Sequence, residues 1–131
     1  MQQRVGFVGL GLMGGWLARH LLAAGFPVTA HDMDPAKVDA IVKAGGRKAG
    51  SPDQIPLQVD VIIMSLPDSS VVNEVARNTL KLFEGGRKGL IVIDCSTADP
   101  MMSEELAARL REKGIEMLDA TISGTSEMCA V

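Results

Sequence analysis

Short apolar runs alternate with longer stretches of helical periodicity from one end of this sequence to the other. Val5–Val8, Pro27–Asp32, Val59–Ser65 and Leu90–Asp94 are compact and β-branched, the signature of strands buried on both faces. Arg47–Ala49 adds a weak edge strand and Glu116–Asp119 begins a last one. Between them the apolar positions recur at helical spacing, which predicts helices over Leu12–Ala24, Pro35–Ala44, Ser69–Leu82 and Pro100–Lys113, and a short one opening at Ser51-Pro52. Asp34-Pro35, Ser51-Pro52 and Asp99-Pro100 each supply a capping side chain followed by a first-turn proline. Gly25, Gly45-Gly46, Gly85-Gly86 and Gly114 supply the stops. Strands joined by helices of this length imply right-handed crossovers. The predicted fold is a doubly wound parallel sheet in a three-layer α/β/α arrangement.

In such a sheet ligands lie beyond the carboxyl ends of the strands. The first of those ends reads Gly9-Leu10-Gly11-Leu12-Met13-Gly14. Gly9 permits the sharp turn, Gly11 leaves room for a diphosphate against the backbone, and Gly14 lets the helix close on the strand. The amides of Leu10, Leu12 and Met13 belong to the same loop, next to the positive end of the helix dipole. A glycine-rich turn that binds nothing is the plainer alternative, and the strand before and helix after weigh against it. Asp32 lies at the next strand end, 18 residues past Gly14, close to the roughly 20 that a Rossmann-type dinucleotide site places before its ribose-binding acid. A carboxylate there accepts ribose hydroxyls and repels a 2′-phosphate. Met33 follows where an NADP enzyme often carries arginine, so the pair favours NAD over NADP. Asp32 as a helix cap is the alternative reading, although Asp34 fills that role better.

Composition narrows the rest. The chain has 131 residues, 47% hydrophobic but only 3% aromatic, so its core is built from Val, Ile, Leu, Met and Ala. The net charge of −3 provides no basic face for a nucleic acid, and Arg87-Lys88 reads as a solvated turn. No apolar run reaches the length of a membrane span, and Met1 leads into the first strand without a signal peptide. Cys95 and Cys129 show neither metal nor disulfide spacing. The expectation is a cytoplasmic protein without a metal. His31 reads as a packed strand residue rather than a base, His20 as exposed, and Trp16 and the methionines as packing material.

Three further strand ends carry candidate chemistry: Ser65-Leu66-Pro67, Asp94-Cys95-Ser96-Thr97 and Thr121-Ile122-Ser123-Gly124-Thr125. Pro67 also reads as loop punctuation, the hydroxyls of Ser96 and Thr97 as caps, and Ser123-Gly124 as a turn. Taken with Val5–Gly14, Met64–Pro67, Ile93–Thr97 and Glu116–Gly124 in that order, the sequence resembles the β-hydroxyacid dehydrogenases, which include 3-hydroxyisobutyrate, tartronate semialdehyde and L-threonate dehydrogenases or reductases and, more distantly, 6-phosphogluconate dehydrogenase. The resemblance runs the whole length of the chain.

That resemblance implies an oxidoreductase using NAD on a small carboxylate substrate. It places Ser65, Leu66, Pro67 and Val71 beside the nicotinamide, Thr97 at its ribose, and Ser123 and Gly124 on the substrate carboxylate. The family pattern Asp-Ala-Pro-Val-Ser-Gly-Gly is altered here, with Thr121 for the proline and Thr125 for the second glycine. Thr125 thereby puts a side chain into the substrate subsite. The family's all-α domain, which carries the catalytic lysine and much of the dimer interface, has no counterpart in this sequence. None of Lys37, Lys43, Lys48, Lys81, Lys88 and Lys113 falls in a strand-end cluster. Residues 1–131 are therefore expected to form an NAD(P)-binding domain, incomplete at its carboxyl end, with no catalytic residue and no homo-oligomer of its own. A stand-alone NAD-binding module is the alternative.

Overall fold

The computed structural model describes residues 2–121; Ser123, Gly124, Thr125 and Cys129 lie outside them. Six strands form one fully parallel sheet: β1 (Val5–Val8), β2 (Val28–His31), β3 (Arg47–Lys48), β4 (Val61–Met64), β5 (Ile91–Asp94) and β6 (Glu116–Asp119). Their order is β3-β2-β1-β4-β5-β6. The direction of winding reverses between β1 and β4, where Val8 is in register with both His31 and Met64. That reversal is the switch point at which a cleft opens beyond the strand ends.

Side chains alternate across each strand, so the sheet feeds two cores. Val5 and Phe7 of β1, with Val28 and Ala30, pack under helices α1 (Leu12–Ala23) and α2 (Pro35–Lys43) through Ala18, Val38 and Ile41. Val8, Ile62, Met64 and Val92 face the other way, against Ile55, Val72, Leu106 and Leu110. Those residues come from α3 (Ile55–Gln58), α4 (Ser69–Glu74) and α6 (Pro100–Glu112). Among the described residues no helix is long and apolar enough to cross a membrane.

Three expectations need correction. The helix predicted over Ser69–Leu82 is broken: α4 passes into a π-helical turn (Val75–Thr79), Lys81 takes a left-handed φ of 51°, and α5 (Leu82–Gly85) starts afresh. Leu80 and Leu82 are both fully buried. Residues two apart lie about 200° apart around a regular helix, so the chain must turn between them to seat both. Arg87 is not simply solvated. Its guanidinium donates to the carbonyls of Pro56 and Val59 and pairs with Asp60 at 3.6 Å, tying the turn before β5 to the start of β4. Ser51 occupies the capping position of its turn, but its hydroxyl donates to Asp53 instead of capping.

Candidate functional site

The loop after β1 is fixed by three backbone demands. Gly9 has a φ of 95°, and a Cβ there would collide with the carbonyl oxygen of Ser65; only glycine fits. Its own N–H donates to the carbonyl of His31 at 3.0 Å, which binds the end of β1 to the end of β2. A Cβ on Gly14 would strike the carbonyl oxygen of Gly9, so the missing side chain is what lets α1 close on the loop. Gly11 differs. Nothing lies within 4 Å of where its Cβ would be, and that position opens onto the cleft.

Helices α2, α4 and α6 are each capped by an aspartate: Asp34 accepts from Ala36, Asp68 from Val71 and Asp99 from Met101. Helix α1 has no such cap and no acidic residue in its first turn. Its first turn lines the cleft at the positive end of the helix, an arrangement suited to an anion.

Asp32 stands across from this loop at the end of β2. Its Oδ2 accepts the N–H of Leu10 at 2.7 Å and its Oδ1 accepts the N–H of Asp34 at 2.9 Å. A carboxylate oxygen accepts more than one donor, so both oxygens retain capacity toward the cleft. Beside it, burial holds the His31 imidazole below its usual pKa, with the Asp32 charge opposing the shift. A packed histidine is what the strand position predicts.

Gly9, Gly11, Leu12, Met13, Gly14, Asp32, Ser65, Leu66 and Pro67 line one open cleft of about 420 Å³, together with Lys37. Lys37 corrects the expectation that no lysine joins a strand-end cluster. It sits one helical turn past the Asp34 cap, and the helix brings it back to the rim; the spacing of cap and lysine was the available signal. Leu10 is buried beneath the loop, and its amide is taken by Asp32. The rest of the expected set lies around the cleft rather than in its walls. Met33 is 97% exposed at the rim, Val71 is in the first turn of α4, and Thr97 is exposed after β5.

On the other side of the switch point, the loops after β4 and β5 are joined by hydroxyl groups. Ser96 Oγ accepts the N–H of Leu66 at 2.8 Å, and Ser69 Oγ accepts the N–H of Asp99 at 2.7 Å. Neither serine caps the helix that follows β5, which Asp99 does. Cys95 is a free, half-buried thiol whose pKa is raised, first by burial and then by the Asp94 charge. Among the described residues no three His, Cys, Asp or Glu side chains gather as a metal site would require.

A doubly wound parallel sheet with an uncapped glycine loop and a facing carboxylate defines a dinucleotide-binding domain. Residues 4–130 match the NAD binding domain of 6-phosphogluconate dehydrogenase, and the chain belongs to that family. It is 37% identical over 120 residues to mouse mitochondrial 3-hydroxyisobutyrate dehydrogenase, covering 92% of this chain and 36% of the relative. It is 35% identical over 122 residues to the NAD-dependent L-serine dehydrogenase of Pseudomonas aeruginosa, covering 93% of this chain and 41% of that one. The structure of Mycobacterium tuberculosis 3-hydroxyisobutyrate dehydrogenase with L-serine superimposes with a TM-score of 0.90 at 28% identity, over 99% of this chain and 44% of the other. The chain thus spans well under half the length of these relatives.

Proposed function

We propose that the chain binds NAD across this rim and is the cofactor-binding domain, residues 1–131, of a dehydrogenase that moves hydride between NAD(H) and a small 3-hydroxy acid or its semialdehyde. The observation that carries the reading is Asp32 and the uncapped start of α1 facing one cleft. In this reading the loop from Gly9 to Gly14, with the backbone of Leu10, Gly11, Leu12 and Met13, holds the diphosphate. Asp32 accepts the adenosine ribose hydroxyls, and Met33 covers the ring beside them. Ser65, Leu66, Pro67, Val71 and Thr97 surround the nicotinamide, and Ser123, Gly124 and Thr125 receive the substrate carboxylate. The names of the mouse and Pseudomonas relatives support the substrate class.

NAD is the preferred cofactor in this reading, because Asp32 repels a 2′-phosphate. Lys37 brings a positive charge to the same rim and narrows the preference. It does not supply the planar two-pronged contact with which arginine grips a phosphate. In this reading no residue of the chain is assigned to proton transfer, and hydroxyacid turnover is not expected of residues 1–131 alone. The half-buried Cys95 thiol fits a reducing compartment, read here as the cytoplasm.

Calorimetric titration tests the reading. NADH is expected to bind, NADPH more weakly, and NAD with 3-hydroxyisobutyrate to give no turnover. A folded sample that releases no heat with saturating NADH would overturn it. The second reading, a stand-alone NAD-binding module, is favoured by one observation: both faces of the sheet are covered within the described residues. Light scattering separates the two, since the module is expected to be a soluble, defined species and the domain to self-associate through faces meant for a partner domain.

A further inference from the structure

The buried polar side chains of the described residues are Ser69, Asp94, Ser96 and Ser103. Three of the four meet at one place, the seam between the loops after β4 and β5. Asp94 is 1% exposed and ends β5; its Oδ1 accepts the N–H of Ser96 at 2.9 Å. That contact turns the chain so that Ser96, 2% exposed, sends its hydroxyl across the seam to the N–H of Leu66. Ser69, on α4, reaches back the other way to the N–H of Asp99. The backbone carbonyl of Asp94 takes the N–H of Ala120 at 2.8 Å, and that of Ser96 takes the hydroxyl of Thr121 at 3.4 Å. A buried polar cluster satisfied throughout stiffens what it connects.

The sheet order assigns this seam a half of the cofactor. A doubly wound sheet binds one mononucleotide on each side of its switch point. Asp32 marks the adenosine side on β2, which leaves the second mononucleotide over β4 and β5. Leu66 and Pro67 form the wall of the cleft there. We infer that Ser96, oriented by Asp94 and seconded by Ser69, is a positioning residue for the nicotinamide half: it fixes the Leu66–Pro67 wall before cofactor arrives, without touching the adenosine half. This rests on the proposed NAD-binding function. A preformed wall spares the ordering that binding would otherwise require, so its loss should appear in cofactor affinity and be confined to one half of the molecule.

The test compares NADH with ADP-ribose, which shares the adenosine and diphosphate but lacks the nicotinamide, on the 131-residue chain and its Ser96→Ala variant. Wild type is expected to bind both. In Ser96→Ala, NADH affinity is expected to fall about tenfold, the scale of one lost hydrogen bond, with ADP-ribose affinity within about twofold. Equal losses for both ligands would reduce Ser96 to a general structural role, and no loss for either would remove the role altogether; each overturns the inference while leaving NAD binding intact. Wild type binding neither ligand would sink the underlying function as well. Should Ser96→Ala unfold, Ser69→Ala breaks the reciprocal contact, and the same split is required of it.

Discussion

The Oδ2 atom of Asp32 lies 2.7 Å from the backbone nitrogen of Leu10, so the residue read as the ribose acceptor also braces the glycine loop. In the proposed reading, selectivity and loop shape are therefore coupled through one carboxylate. Replacing Asp32 by alanine is expected to weaken NADH by about tenfold or more, since a ribose acceptor and a loop contact go together. The double change Asp32→Asn with Met33→Arg removes the repulsion, keeps a carbonyl acceptor for Leu10, and adds a two-pronged phosphate partner. The ratio of NADPH to NADH affinity should rise about tenfold or more. Parallel titrations with both cofactors read it directly, and an unmoved ratio would place the ribose elsewhere.

Gly11 and Gly14 should separate binding from folding. Alanine at Gly14 drives a methyl group into the carbonyl of Gly9, an overpacking expected to cost roughly 1–3 kcal/mol of stability. Alanine at Gly11 meets no protein atom within 4 Å; the fold should tolerate it while the diphosphate is pushed off the backbone. Thermal melts should show a lowered midpoint for Gly14→Ala alone, and NADH titrations a loss for both. A Gly11→Ala chain that binds like wild type would move the diphosphate away from this loop.

Acid sensitivity should centre on Asp60. It accepts the backbone N–H of Arg4 at 2.8 Å and its guanidinium at 3.0 Å, with Arg87 nearby, and these contacts hold its pKa down to about 2. The unfolded value is about 3.9, so the folded form binds its proton less readily. The contribution is full above the unfolded value and is lost as pH falls toward 2. Urea midpoints measured from about pH 5 down to about pH 2.5 should fall less steeply for Asp60→Asn than for wild type. Parallel curves would mean the contact carries no pH-dependent stability. Because both partners are solvent-exposed, added salt should shrink the difference.

Much of the architecture was legible because it is local. Apolar runs, aspartate-proline caps and glycine stops set five of the six strands to within two residues of their positions, and β3 emerged as the weak edge it was read to be. The glycine loop was legible as a motif, although only Gly14 answers a near neighbour, the carbonyl of Gly9; the space around Gly9 is set by Ser65, far along the sequence, and a Cβ on Gly11 would meet nothing within 4 Å. What stayed hidden is contact between residues far apart in the sequence. The hydroxyl of Ser96 serves the amide of Leu66, 30 positions earlier, and nothing in either segment announces that pairing. Arg87 looked like a turn residue because its partners, Pro56, Val59 and Asp60, come together only when β4 and β5 pair. The break at Lys81 was hidden because Ser69–Leu82 contains neither glycine nor proline; the need to bury Leu80 and Leu82 together overrode a helix-compatible segment.

Because all six strands run the same way, their carboxyl ends share one rim and their amino ends the other. The turn at Gly45 belongs to the amino-end side, where φ is 107° and a Cβ would meet nothing within 4 Å. An affinity tag or fluorophore loop grafted there would sit a full strand length from the proposed dinucleotide site. The same graft beside Met33 would occupy the doorway.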